Sequence, residues 1–322
     1  MTQNNLDLKN KKILYQLDSN SRQPNTQIAK KVGLSKDIVN YRIKQLEREG
    51  YIKSYYSIIN FYKLGYSSIR VYLKLISCPL SKEKEIIDFL VNNQKVFYVI
   101  KIDGDYDIGF GTYVKNIYDF EKFYIEFKKN FKKFIKNDEI SIFTKAYHFH
   151  RGYILDKKED KFDYEVIGEE YNLEKVDDLD IKILKLIAKN ARIPIIEIAN
   201  KIKQPVMTVA FRIKQLEKKG VIQGYRFNFD FSKVDYGYYK VDLILDDISR
   251  LKDLINYCHI HPNIIYVDQT LGRSDFEFDL EVKNKEEFLK IIDDLKEKFP
   301  EIREWKYFTA REYKKLLYYP EE

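Results

Sequence analysis

Ser35 to Gly50 reads SKDIVNYRIKQLEREG and Pro205 to Gly220 reads PVMTVAFRIKQLEKKG, so RIKQLE stands twice in one chain. Ile13 and Ile183, like Gly50 and Gly220, lie 170 positions apart, and Gly104 and Gly272, like Asp107 and Asp275, lie 168 apart. Self-similarity at that spacing marks a duplicated structural unit. In the first copy Val39, Ile43 and Leu46 recur at helical spacing and Ser35 stands where an N-cap accepts from first-turn amides, which predicts a helix with one buried side. The other side carries Lys36, Asp37, Asn40, Tyr41 and Lys44, with Arg42 and Arg48 flanking. Such a face offers hydrogen-bond donors, an adenine-reading amide and positive charge. A solvated amphipathic helix would carry a similar face, and the surrounding sequence decides between the two.

Before each copy, apolar residues fall on two more helical stripes: Ile13, Leu14 and Leu17, then Ile28, Ala29 and Val32, mirrored by Ile183, Leu184 and Ile187, then Ile198, Ala199 and Ile202. Gly33-Leu34-Ser35 supplies a tight turn ahead of the third helix. Three short helices joined in this way describe a helix-turn-helix. After Gly50, a suitable C-cap, Tyr51 to Ile59 is rich in β-formers and is expected to be the wing.

Arg22, Ile28-Ala29, Leu34-Ser35, Val39, Arg42-Ile43, Leu46-Glu47, Gly50, Ile52 and Leu64-Gly65 together resemble the winged helix-turn-helix signature of the Lrp/AsnC regulators. The likeness runs through nearly the whole chain, twice. It implies double-stranded DNA as partner, a ferredoxin-like effector and oligomerisation domain after each winged helix, and an amino-acid or other small effector. It also implies pairing through the sheets, which a fused duplicate achieves within one chain as a pseudo-dimer, with or without further homo-oligomerisation.

Charge supports the same partner. Leu6 to Asn60 holds eight Lys and three Arg against three Asp and two Glu, +6; residues 176–230 hold eight Lys and three Arg against four Asp and two Glu, +5. With +7 overall, the rest of the chain sums to 7 − 11 = −4. Positive charge is thus gathered where phosphates would be met. A charged content of 33% against 44% hydrophobic suits a soluble globular protein, and no uninterrupted apolar run reaches membrane-spanning length. Cys78 and Cys258 have no paired spacing, so a disulfide framework is not expected and a reducing, cytoplasmic setting is.

Between the winged helices the pattern turns mixed. Alternation at Ile69, Val71, Leu73 and Leu75, a helix over 82–93, strands over 96–102 and 108–114, a helix over 118–131 with Phe120, Phe123, Phe127 and Phe131 on one side, and a strand over 140–150 give βαββαβ. The order returns after residue 241, with Tyr313 to Tyr318 expected as a terminal helix. The fold class is therefore α+β: winged helix at 1–62, ferredoxin-like domain at 63–153, linker at 154–175, second winged helix at 176–232 and second ferredoxin-like domain at 233–322.

The two copies differ where they would touch DNA. Val206, Met207, Ala210 and Phe211 replace the polar reading positions of the first copy; they suit thymine methyls and make no bidentate base contact. The first unit is therefore expected to read sequence, and the second to contact phosphates through Arg212, Lys214, Lys218 and Lys219. The second expected site is the Asp103–Asp107 turn. Gly104, Asp105 and Asp107, with Gly272 and Asp275, match the family's Gly-x-x-Asp turn, and the resemblance implies that Asp107 or Asp275 receives an effector's ammonium group. A hairpin satisfying its own geometry is the plainer alternative. A calcium loop is disfavoured because Ile108 and Val114 stand where Gly and the bidentate Glu belong.

His148 and His150, and His259 and His261, lack the further ligands of a closed zinc site, so no metal or cofactor is expected. Trp305 is expected in the core. No Ser-His-Asp set, Walker loop or dinucleotide fingerprint occurs. Two alternatives remain at this level: an enzyme resembling the siroheme decarboxylases, which share this two-part architecture, with His148, His150 and Arg151 toward a haem precursor, and a metabolite-sensing protein adaptor.

Overall fold

The computed structural model describes residues 6–155, 164–168 and 172–320. The first half runs α1 (Leu8–Ser19), α2 (Asn25–Val32), α3 (Lys36–Arg48), β1 (Ile52–Ile59), β2 (Ser67–Leu75), α4 (Leu80–Asn92), β3 (Val96–Gly104), β4 (Ile108–Val114), α5 (Ile117–Phe131) and β5 (Ile135–His148). A short β6 (Glu165–Gly168) follows, pairing with β5 inside the stretch expected as linker; linker residues 156–163 and 169–171 lie outside the described residues. The second half repeats the order as α6 (Asp178–Lys189), α7 (Ile195–Ile202), α8 (Val206–Lys218), β7 (Ile222–Phe229), β8 (Gly237–Leu245), α9 (Leu251–Ile260), β9 (Ile264–Leu271), β10 (Phe276–Val282), α10 (Lys285–Lys298) and β11 (Ile302–Leu316).

Capping chemistry sets the helix ends. Asp7 accepts from the Asn10 amide at 2.7 Å, Ser35 from the Ile38 amide at 3.3 Å, and Asp177 with Asp180 forms a reciprocal capping box. Gly33 ends α2 at φ 67°, the left-handed conformation that lets the chain turn into α3. Its counterpart Lys203 adopts φ 54° despite its Cβ.

Two sequence expectations fail for one reason. The stretch expected as a wing is no hairpin: β1 pairs antiparallel with β7 of the other half, Tyr55 opposite Phe227 and Ser57 opposite Tyr225. The strands also exchange cores, Phe227 and Phe229 packing beneath α1–α3 while Ile59 packs beneath α6–α8. Likewise Tyr313 to Leu316 is not helical but the end of β11, with Tyr313 opposite Ile100 and Leu316 opposite Tyr98 of β3. In both cases the deciding hydrogen-bond partner lies in the other half, where no local pattern can show it.

Each βαββαβ unit forms the expected ferredoxin-like sheet, β5-β2-β4-β3 and β11-β8-β10-β9. The long strands β5 and β11 then cross into the opposite sheet, β5 onto β9 and β11 onto β3. The eight strands thereby close into a barrel that leaves the ferredoxin-like edges paired. Outside it, Val71, Leu73 and Phe110 pack on α4 and α5, and Leu243, Phe276, Phe278 and Leu280 pack on α9 and α10. The alternate residues face inward, and in the second half many of them are charged.

Candidate functional site

The winged-helix units are locked together by reciprocal arginines. Arg22 donates to the carbonyls of Ala191 and Ile193, and Arg192 donates to Ser21 O at 2.5 Å and Asn25 Oδ1 at 2.7 Å. Ser21 N to Tyr225 O and Ala191 N to Tyr55 O complete the exchange. These contacts and the β1–β7 ribbon fix α3 and α8 as a pair on one frame. The arginines sit after Asn20 and Asn190 in both copies; sequence analysis singled out Arg22 as a family signature but not for this contact.

On α3 the expected reading face is solvent-facing: Ser35, Lys36, Asp37, Asn40, Tyr41 and Lys44 are exposed, opposite buried Val39, Ile43 and Leu46. Asn40 accepts only a long 3.4 Å contact from Asn25. Arg42 departs from that face, donating to Asp7 Oδ2 at 2.6 Å and Asn10 Oδ1 at 2.9 Å. Burial opposes ionisation of Asp7, but the Asn10 amide and Arg42 outweigh it and hold the carboxyl below its ordinary value.

On α8, Lys214 and Lys218 are exposed as a phosphate contact requires, whereas Arg212 is turned to Asp177 at 2.8 Å and Asp180 at 3.4 Å, the same pairing Arg42 makes. Lys219 donates to Lys175 O at 2.8 Å. Arg212 and Lys219 are therefore tied within the unit, because each lies within reach of an acceptor on the segment leading into α6. The rest of the exposed face is apolar: Val206 is 42% exposed, Met207 80% and Phe211 59%.

The two expected effector turns part company. Asp107 is half-exposed and already engaged; its Oδ2 accepts from the Leu75 amide at 2.7 Å and its Oδ1 meets Lys74 at 3.2 Å. Asp275 accepts from the Leu245 amide at 2.8 Å in the same way. Both carboxylates close a strand end. Gly104 sits at φ 140° against β11, where a Cβ would lie 3.3 Å from Tyr307 O, and Gly272 at φ 120°, where a Cβ would lie 2.8 Å from Ile140 O. Asp105 is exposed, but its counterpart Arg273 is buried in the barrel, paired with Asp242 and 3.3 Å from Glu277, its guanidinium 4.1 Å from the Tyr72 ring.

The first turn borders a cleft. A hollow of about 510 Å³ is lined by Asp103, Gly104 and Asp105 from the first half and by Tyr239, Lys285, Trp305, Lys306, Tyr307 and Thr309 from the second. Trp305, expected in the core, is a wall of this cleft, stacked on Tyr307 with ring centroids 5.8 Å apart. Acidic, basic and aromatic groups face one another across it, an arrangement that suits a zwitterion with a planar or apolar side chain. Its walls escaped the sequence because they come from both halves.

Inside the barrel, Arg70 and Lys240 converge on Asp268, and Lys240 also meets Glu277 at 3.1 Å and Asp279 at 2.9 Å. Burial opposes ionisation of Glu277, but Lys240, Arg273 and Arg70 overcome it and hold the carboxyl below its ordinary value. A second buried cluster joins the first winged-helix unit to the barrel: Arg151 binds Asp18 of α1 and Glu281 of β10, each at 2.9 Å, and Arg226 of β7 reaches Asp18 at 3.1 Å. His148 and His150 lie beside this cluster. Arg151, considered for a haem precursor, is thus engaged by two carboxylates. Among the described residues no group of three His, Cys, Asp or Glu is placed to hold a metal ion.

A family profile described as winged helix-turn-helix DNA-binding matches residues 6–53 and 176–223. The HTH-type transcriptional regulator FL11 of Pyrococcus abyssi is 30% identical over 118 residues, 37% of this chain and 77% of its own length. An uncharacterised HTH-type transcriptional regulator of Pyrococcus horikoshii is 56% identical over 50 residues, 16% of this chain and only 31% of its own length. Among solved structures, the siroheme decarboxylase NirDL superposes with a TM-score of 0.64 over 96% of this chain and 92% of its own at 13% identity, a likeness of fold. Fold and site define a protein with two winged helix-turn-helix units carried on one closed sheet. The chain belongs to the HTH-type transcriptional regulators, with their winged helix-turn-helix unit present twice.

Proposed function

We propose that the chain is a sequence-specific DNA-binding transcription regulator acting as an intramolecular pseudo-dimer, with α3 and α8 directed at one duplex and a small zwitterionic effector held in the cleft at Gly104. The observation that carries the reading is the pairing of α3 and α8 on a single frame by the ribbon and the Arg22–Arg192 exchange, with the chain's surplus positive charge gathered on those units. On this reading the two helices meet successive major-groove faces of one duplex, which repeat about every 34 Å. Within the effector site, Asp103 and Asp105 receive the ammonium group, Lys285 or Lys306 the carboxylate, and Trp305 and Tyr307 the side chain. The test is fluorescence anisotropy of the full chain with duplex DNA over a salt series, with and without each amino acid. Retention of no duplex at 50 mM salt would refute DNA binding and leave the adaptor alternative. A Soret shift on titration with a tetrapyrrole would instead favour the decarboxylase alternative, which at present has only the fold likeness behind it.

A further inference from the structure

We infer that the two reader helices recognise chemically different half-sites, so that the preferred duplex is not a palindrome, and that α8 reads its half through the 5-methyl groups of thymine. The inference rests on the DNA-binding reading above. Position by position, Lys36, Asp37, Asn40 and Tyr41 of α3 correspond to Val206, Met207, Ala210 and Phe211 of α8. Both helices keep their shared buried residues, Val39, Ile43 and Leu46 against Val209, Ile213 and Leu216, so the two faces stand in equivalent places on the frame and differ only in chemistry.

Exposed Met207 and Phe211 would cost solubility on a helix that met only water. The occupant is set by what surrounds them. Exposed Lys203, Lys214 and Lys218 belong to the same helix and the turn before it, a cationic border around an apolar strip. A polyanion with methyl groups on its floor fits that surface, and thymine presents its methyl in the major groove, where Ala and Phe contact it. On α3, exposed Asn40 is of the type that makes paired hydrogen bonds to adenine, which no side chain at the corresponding α8 positions makes. One half-site is therefore read by hydrogen bonding, the other by methyl contact.

The test uses the full chain. Rounds of selection from a random 30-base-pair duplex library give the preferred site, after which thymine is replaced by uracil, which lacks only the methyl, in one half at a time. The expected site is asymmetric, and uracil in the half facing α8 weakens binding about fourfold per contacted methyl, the factor for one buried CH₂, while uracil in the other half changes it less than twofold. Grafting the α3 residues onto α8 with V206K, M207D and F211Y, at exposed positions, and A210N, at a half-buried one, shifts the selected site toward a palindrome. A palindromic site for the natural chain, or uracil insensitivity in both halves, overturns the inference and leaves DNA binding standing. Enrichment of no duplex overturns both. Self-association in light scattering that F211Y abolishes, with the uracil response absent, assigns the strip to a second copy and also overturns it.

Discussion

Acidification should unfold this protein through two histidines. Burial, with Arg226 next in weight, lowers both His148 and His150 from 6.5 to about 3, so both are neutral in the fold. A depressed folded value means stability present above the unfolded pKa and lost as pH falls from about 6.5 toward 3. Each histidine contributes RT ln[(1 + 10^(6.5−pH))/(1 + 10^(3−pH))], about 0.2 kcal/mol lost at pH 7 and about 2 kcal/mol at pH 5. The pair therefore accounts for a loss of about 4 kcal/mol between pH 7.5 and pH 5, a large share of a typical domain's stability. Buried Asp242 acts with the opposite sign, since burial pushes it up to about 7 against the pull of Arg273 and its contribution improves on acidification, whereas buried Asp18 and Glu277, held below their ordinary values by their arginine and lysine partners, add to the acid loss. That background is common to natural chain and variant and cancels in their difference. Urea unfolding at pH 7.5 and 5.0 of the natural chain and of H148Q/H150Q measures it. The variant should retain about 4 kcal/mol more of its own neutral-pH stability at pH 5. Equal acid losses in the two proteins would refute the assignment.

Three further outcomes are expected. Lys203 holds φ 54° where the first copy has Gly33, so Lys203→Gly should raise stability and Gly33→Ala lower it, each by about 1 kcal/mol in urea midpoints, since a Cβ at Gly33 meets only the flexible Lys9 amine at 3.5 Å. Arg151→Met leaves Glu281 and Asp18 buried with one cation fewer and should cost about 3–5 kcal/mol, and adding Asp18→Asn should cost less than the sum of the separate changes. Lys36→Ala with Lys44→Ala should reduce the slope of log K against log salt by about 1.8 if both meet phosphate. The same pair without effect on the slope would remove α3 from the duplex.

The repeat, the three-helix units and the βαββαβ order were legible in the chain because helix caps, apolar periodicity and turn residues act over a few positions. Ser35, Gly33 and the Val39-Ile43-Leu46 stripe specify their helix wherever it is placed. The exposed part of the α3 face was legible too, since the residues opposite a buried stripe must meet solvent or a ligand. That Arg42, Arg212 and Lys219 are engaged within the chain was not legible, because their acceptors, on Asp7, Asp177, Asp180 and Lys175, lie away from their helices in sequence. The sequence left Asp107 and Asp275 open between an effector contact and a self-satisfied hairpin because a turn residue's type does not reveal which amide it caps.

By itself, the sequence determined what each segment is. Which segments complete one another was decided by the tertiary structure alone. FEFDLEV of β10 shows the division: its alternation announces two unlike faces, and the ordinary inference is that Glu277, Asp279 and Glu281 face water. All three are buried, because β5 and β11 cross between the sheets and close the barrel over them, where Arg70, Lys240, Arg273 and Arg151 supply the opposite charge. Period sets direction within a strand, whereas what lies on each side depends on other elements of the fold, some of them, such as Arg70, Arg151 and β5, more than a hundred residues away.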